Sequence, residues 1–244
     1  MVYDSMDKKH DWENEIFPLA KKYGLSINRK KDGYILLGNI CVECKPGKDF
    51  PTIVIDYDVE VFIPYEFPSV LPTAKEISNR ISKDFHQIGE ELCMGTPQEL
   101  SLKINKTRSI DVFFREFLIS YLYSYSHYER FGKPPFGEYS HGHEGIFEFY
   151  RNHFDCDSTE KIIQALCVVF PLASMREPAY PFTSSISELI KYGNIDILKS
   201  DLEHFFQLAT KENLSFSLLI SPKDKDLISL IEKVASPNCR VFYI

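Results

Sequence analysis

The chain has little of what marks a membrane protein, a disulfide scaffold or a nucleic-acid binder. No apolar run approaches the roughly 20 residues that a membrane-spanning helix needs. Lys and Arg number 28 against 35 Asp and Glu, a net charge of −7, so we expect no nucleic-acid-binding surface. Six cysteines are too few for a disulfide scaffold, and in a reducing compartment we expect free thiols. The first seven residues are acidic and lack the apolar core of a signal peptide, which predicts a cytoplasmic location.

What the chain does have is a composition typical of a folded protein. Of its 244 residues, 44% are hydrophobic and 14% are aromatic, which excludes disorder over the whole chain. The length suits one main domain plus an appendage. The turn-forming segment Lys133-Pro-Pro-Phe-Gly137 is the best candidate boundary. The sequence therefore predicts two domains, at residues 1–137 and 138–244.

The first domain begins with signals for a helix and then for antiparallel strands. Residues 11–23 have a candidate N-cap in Asp11, acids in the first turn and lysines near the end, which favours a helix. The turn pair Asp32-Gly33 introduces a strand-like run at residues 34–44. Residues 52–63 are rich in β-branched side chains and alternate between apolar and charged positions, as a half-buried antiparallel strand does.

An extended crossing, a loop and a long helix follow these strands. Prolines recur at every fourth position in residues 63–72, which excludes a regular helix or a central strand and predicts a rigid surface crossing. Residues 74–81 favour either a short helical turn or an edge strand. Residues 85–95 are predicted to be irregular, with a glycine on either side of Cys93. Residues 109–128 predict a long helix with an aromatic face.

The second domain has mostly helical patterns and ends with two strand signals. Its helices are predicted at residues 145–154, 158–170, 184–191, 196–210 and 225–234. Its strands are predicted at residues 215–220 and 240–244. We interpret this part as an α/β extension of unknown role, with partner docking or dimerisation as the expected uses.

The order of elements in the first domain, together with one set of residues, resembles the ubiquitin-conjugating enzymes. The set comprises the proline-spaced crossing, then a histidine, a glycine, an aliphatic residue and a cysteine. Its members here are Pro64, Tyr65, Phe67, Pro68, Pro72, His86, Gly89, Leu92 and Cys93. The resemblance covers residues 10–132 and is closer to the divergent bacterial members of antiphage defence operons. It implies an α+β fold with an N-terminal helix, a four-stranded antiparallel meander, an active-site cysteine loop and a long helix.

The same resemblance implies a function for Cys93. This cysteine would accept the C-terminus of a protein partner as a thioester and pass it to an amine. The implied partner is a ubiquitin-like modifier or a nucleotide cyclase, and neither a cofactor nor a metal is expected. Because the sequence has no Gly-rich phosphate loop, we expect the thioester to come from a separate activating enzyme or by an unusual route from the partner itself. If Glu90 and Glu91 lie close to the sulfur they disfavour the thiolate, which suits a stable carrier.

The sequence departs from the family pattern beside the cysteine. The usual His-Pro-Asn triplet is His86-Gln87-Ile88 here, and His86 precedes Cys93 by seven positions, closer than in the family. In the family the asparagine stabilises the oxyanion that forms when a lysine attacks the thioester. Gln87 or His86 is a candidate replacement, and a purely structural hydrogen bond is an equal interpretation of His86. A catalytically inactive binding module of the same fold therefore remains an alternative function.

Two other clusters offer metal-binding or redox chemistry. Cys41 and Cys44 form a Cys-x-x-Cys pair, but a strand places them on opposite faces, which disfavours a shared ligand. A second cluster offers four potential zinc ligands within sixteen positions: His141, His143, His153 and Cys156. With nearby acids it is also a candidate hydrolase centre, although it matches no strict motif. The alternative interpretation is a loop that caps the following helix.

Overall fold

The computed structural model divides the chain into two compact units. The structure describes residues 12–136, 140, 142–169, 183–212, 214, 216–220, 228–229 and 239–243. Of these, residues 12–95 and 103–136 form the first unit. Residues 96–102 group with the described residues from 140 onwards in the second unit. Within the described residues, no helix combines the length and the apolar character that crossing a membrane requires.

The first unit opens with helix α1, Glu13–Tyr23. Acids in its first turn and lysines in its last turn complement the helix dipole, as the sequence indicates. Pro18 is accommodated inside the helix. The helix ends at Gly24, whose φ of 69° is the left-handed conformation common at helix C-termini. The N-cap position belongs to Trp12, which makes no side-chain capping bond, and not to Asp11 as the sequence suggests; Asp11 itself lies outside the described residues.

A four-stranded antiparallel sheet follows α1, in the order of the chain. Its strands are β1 Ser26–Arg29, β2 Gly33–Cys44, β3 Ile53–Pro64 and β4 Thr73–Glu76. The sheet and the helices around it confirm an α+β fold with an antiparallel meander. The sequence left residues 74–81 open between a helical turn and an edge strand, and β4 is the edge strand. It gave no sign of β1, whose side chains are mostly exposed.

The core of the first unit lies between one face of this sheet and the helices. The alternation predicted for β3 is confirmed, because every second residue from Ile53 to Ile63 is at most 1% exposed. Helix α1 packs against β1 and β2, and Tyr23 stacks on Phe114 with ring centroids 5.2 Å apart. The hydroxyl of Tyr57 lies 2.9 Å from the Ser126 hydroxyl, so a buried hydrogen bond ties β3 to the long helix.

That long helix is not uniform along its length. It consists of α3 Ile110–Val112, a π-helical segment Phe113–Leu118 and α4 Ile119–Phe131. Its aromatic residues recur at every fourth position, and in an α-helix each such step overshoots one turn by about 40°. The wider π turn absorbs part of that drift. The four aromatic side chains of this spacing are all buried: Phe113, Phe117, Tyr121 and Tyr125.

Two short strands and a helix connect the sheet to the long helix. The strands are β5 Gln87–Ile88 and β6 Glu91–Leu92, which pair antiparallel as a hairpin where the sequence predicts an irregular loop. Helix α2, Pro97–Thr107, follows them. The segment of α2 up to Leu102 belongs to the second unit, and the rest belongs to the first.

The second unit is mostly helical, as the sequence indicates. Its remaining helices are α5 His143–Phe154, α6 Thr159–Val169, α7 Thr183–Tyr192 and α8 Ile195–Lys211. Strands β7 Phe216–Ile220 and β8 Cys239–Tyr243 lie at the predicted positions and pair in parallel. The helix predicted at residues 225–234 falls largely outside the described residues. Residues from α2, α5, α6, α7 and α8 share one apolar core.

Candidate active site around Cys93

Cys93 lies directly after a hairpin that fixes its backbone. In this hairpin Gln87 pairs with Leu92, and Ile88 pairs with Glu91. Gly89 begins the turn with φ of 67°, a conformation that suits glycine. One position beyond the ladder, the Cys93 N–H donates to the His86 carbonyl at 2.8 Å. The hairpin therefore brings the backbone of His86 opposite that of Cys93.

Tyrosines of α4 anchor the segment that precedes the hairpin. The Tyr121 hydroxyl lies 2.8 Å from the Phe85 carbonyl and 3.1 Å from the His86 carbonyl, to which it donates. The Tyr125 hydroxyl donates to the Arg80 carbonyl at 3.0 Å and accepts from the Ser82 N–H at 3.1 Å. Sequence reasoning placed Tyr121 on an apolar face, and the only signal for this second role was its polar tip.

Aromatic side chains pack against the buried face of the segment that precedes the hairpin. The ring of Phe85 is buried, and its centroid lies 5.7 Å from that of Tyr121 and 5.0 Å from that of Tyr125. Both pairs are edge-to-face, the arrangement that aromatic quadrupoles favour. The chain before Cys93 is thus held by packing as well as by hydrogen bonds, so the thiol has an inflexible support.

The Cys93 thiol is half-buried, and burial governs its acidity. Burial raises the pKa of the thiol, and a hydrogen bond from the Gly95 backbone N–H to the sulfur offsets part of that rise. The sequence suggests Glu90 and Glu91 as the groups that disfavour the thiolate, but the largest contribution to the raised pKa of Cys93 is desolvation by burial. Glu90 is exposed and forms an ion pair with Lys75 at 2.9 Å. At neutral pH Cys93 is therefore a thiol.

His86 has an unusual backbone conformation. Its φ is 38°, a region that non-glycine residues seldom occupy. Its half-buried ring faces Phe85 edge-on, with centroids 5.6 Å apart. The positive φ of His86 comes at the entry to the hairpin, where the chain turns to place its carbonyl against Cys93.

Gln87 is directed away from Cys93. Successive residues of a strand point to opposite faces, so Gln87 shares a face with its partner Leu92, which is buried. The Gln87 amide donates long hydrogen bonds to the carbonyls of Ile81 at 3.5 Å and Ser82 at 3.4 Å. The candidate role of Gln87 as a replacement oxyanion donor is therefore not supported by this arrangement.

The remaining described cysteines are dispersed, and none of them forms a disulfide with another described residue. Cys41 is exposed and Cys44 is half-buried at alternate faces of β2, so the pair does not form a shared site. Cys156 is half-buried and Cys167 is buried in the second unit. The side chain of Cys239 lies outside the part of the chain that the structure describes.

The three described members of the candidate zinc cluster, His143, His153 and Cys156, are not grouped to hold a metal ion. The His143 ring packs on His204, with centroids 4.2 Å apart. His153 is instead bonded to Ser185, with its Nε2 3.1 Å from the Ser185 carbonyl. His141 lies outside the described residues. Among the residues that are described, no three His, Cys, Asp or Glu side chains are grouped to hold a metal ion.

A groove of about 480 Å³ lies on the outer face of the sheet, beside the hairpin. It is lined by Lys30, Lys31, Asp32, Ile35, Glu60, Phe62, Thr73, Lys75 and Glu91. Opposite charges are balanced along its walls, so the groove has no selective attraction for one sign of charge. It adds an adjacent surface to the site but no reactive group.

Comparison of the chain with protein-family models, with curated proteins and with solved structures finds no match.

Proposed function

We propose that the chain is a ubiquitin-conjugating-like acyl carrier that uses Cys93. The observation that carries the proposal is the half-buried Cys93 thiol directly after the hairpin, with the Cys93 N–H bonded to the His86 carbonyl. A carrier needs a sulfur that a second chain can approach, on a support that does not yield. The order of helix, antiparallel sheet, cysteine hairpin and long helix is consistent with the family resemblance.

The proposed chemistry is an acyl exchange followed by an acyl transfer. The Cys93 sulfur attacks the acyl carbon of a thioester held by an activating enzyme. A new C–S bond forms, the old C–S bond breaks, and the proton from Cys93 passes to the departing thiolate. An amine nitrogen then attacks the same carbon to form an amide. The Cys93 sulfur leaves and takes up the proton that the amine loses, so the cycle needs no oxidant.

The electrostatics around Cys93 suit a carrier whose thiol must stay unreactive until the acyl donor binds. A raised pKa keeps the Cys93 sulfur protonated at neutral pH, and a thiol oxidises more slowly than a thiolate. The Gly95 N–H already directed at the sulfur offers partial stabilisation when the sulfur leaves. His86 is proposed as an assisting residue, because the hairpin holds its backbone opposite Cys93.

The proposed acyl donor is the C-terminus of a ubiquitin-like modifier or of a nucleotide cyclase, in a bacterial antiphage setting. The test is co-expression with the genomic neighbours, followed by intact-mass analysis and non-reducing gels. We expect a dithiothreitol-sensitive adduct on the wild-type chain and on Cys41→Ser, which removes an exposed thiol as a matched control. Cys93→Ala should carry no adduct. An adduct that persists on Cys93→Ala contradicts the assignment.

A binding module without catalysis is the second candidate. The observation that favours it is the Gln87 amide, which bonds to the carbonyls of Ile81 and Ser82 on the face away from Cys93. In that case the chain binds the same partners non-covalently. Co-purification of a neighbour with both the wild type and Cys93→Ala, with neither mass increased, would support the module.

A further inference from the structure

Three helices of the second unit meet at one buried carboxylate. Asp201 of α8 is 2% exposed. The Tyr150 hydroxyl of α5 donates to its Oδ2 at 2.6 Å. The Gln98 amide of α2 donates to Oδ1 at 2.8 Å and to Oδ2 at 2.7 Å. These groups are far apart in sequence, and the cluster does not involve Cys93.

One acceptor in this cluster, the amide oxygen of Gln98, lacks a hydrogen-bond donor among the described residues. Gln98 is 4% exposed, and its Oε1 atom is buried. An ionised carboxylate only accepts hydrogen bonds, so it cannot satisfy the amide oxygen. If the carboxyl is protonated and the Gln98 amide plane rotates against it, the carboxyl can donate to Oε1 while its other oxygen accepts from Nε2. The two groups then form a reciprocal pair, and the buried amide oxygen gains its missing partner.

The surroundings of Asp201 also affect how readily its carboxyl binds a proton. Burial raises the pKa of Asp201, and the hydrogen bonds from Tyr150 and Gln98 oppose that rise only in part. Positive charge on His204 or His143 also lowers this pKa. The His204 ring, one turn further along α8, packs on His143, and its buried Nδ1 finds no hydrogen-bond partner in the part of the chain that the structure describes. The buried side chains that α6 adds to this core are apolar.

We propose that Asp201 is a proton-binding switch of the second unit, which on protonation completes a hydrogen-bonded pair with Gln98. Proton uptake strengthens the link between α8 and the first turn of α2. Release of the proton leaves a buried charge and an unpaired amide oxygen, and so loosens that link. The switch goes beyond the carrier function and does not depend on it.

The sign of the pH dependence follows from linkage. An acid whose pKa is higher in the folded state than in the unfolded chain binds a proton more tightly when folded. The stabilisation is complete below the unfolded value of about 3.9 and is lost as pH rises through the folded pKa. Within that window the unfolding equilibrium constant rises by up to tenfold per pH unit from this group alone.

The direct test is a ¹³C NMR titration of the Asp201 carboxyl in the full chain. We expect the midpoint of its chemical-shift change to lie above about 3.9. A midpoint at or below that value overturns the proposal. Because this measurement uses the wild-type protein, it holds even if a substituted chain fails to fold.

A variant series gives a second, independent test by urea unfolding at several pH values. Asp201→Asn keeps the shape and supplies a permanent donor to Gln98 Oε1. We expect the ratio of unfolding constants, wild type over Asp201→Asn, to rise with pH across the same window. Asp196→Asn removes an exposed carboxylate from the first turn of α8 and is the matched control. A ratio for Asp201→Asn that is flat or falls with pH contradicts the switch.

Discussion

The backbone N–H of Cys93 donates to the carbonyl of His86 at 2.8 Å, and the Tyr121 hydroxyl donates to the same carbonyl at 3.1 Å. One oxygen atom thus joins the thiol-bearing residue to the long helix. Because the carbonyl has two lone pairs, it accepts both hydrogen bonds without competition. The position of the proposed nucleophile therefore depends on a helix that is remote in sequence.

Replacing Tyr121 with Phe tests this support. The change removes the bonds to the Phe85 and His86 carbonyls and leaves the ring packing in place. We expect the free energy of unfolding to fall by about 1–3 kcal/mol, since buried carbonyls lose a donor. Adduct formation on Cys93 should also slow. Tyr128→Phe is the control, because that ring packs on Phe85 but is 42% exposed. Equal effects of the two substitutions would contradict the role given to the Tyr121 hydroxyl.

The pH dependence of alkylation tests the state of the Cys93 thiol. Only the thiolate reacts with iodoacetamide, and burial raises the pKa of Cys93 above that of an ordinary cysteine. The half-maximal alkylation rate should therefore occur at a higher pH than in a short peptide of the same local sequence. Peptide mass spectrometry resolves Cys93 from the other cysteines at each pH. A midpoint below that of the peptide would mean that the thiolate is stabilised instead.

Local patterns predicted much of the first unit. Strand β3 is predictable from the sequence because its buried residues all face one packed layer. Every second residue is therefore apolar, and this alternation is visible in the sequence. The short strand β1 is not predictable from the sequence, because its mostly exposed side chains do not alternate between apolar and polar. It is defined by its pairing with β2. The aromatic helix was predicted, but its π segment was not.

The candidate site was also predictable only in part, because some of its contacts join residues that are distant in sequence. The family resemblance proposes roles for Cys93 and His86, and the hairpin places the backbones of these two residues opposite each other. The contribution of Tyr121 was missed because its partners lie 35 and 36 positions away. The pairing of Gln98 with Asp201 spans 103 positions, and no local periodicity encodes it. Long-range polar contacts are set by tertiary packing, and neither residue alone signals them.

The turn of the cysteine hairpin yields the last prediction. Gly89 has φ of 67°, and a Cβ added there would meet no described atom within 4 Å beyond its two neighbours in the chain. Any cost of Gly89→Ala therefore comes from the backbone alone, and we expect it to be about 1–2 kcal/mol in urea unfolding. Gly89→Asn should cost less, because asparagine tolerates the left-handed region better than alanine. If the two variants are equally stable, the backbone conformation of Gly89 does not limit the hairpin. If alanine is worse and adduct formation on Cys93 falls with it, the turn contributes to positioning the thiol.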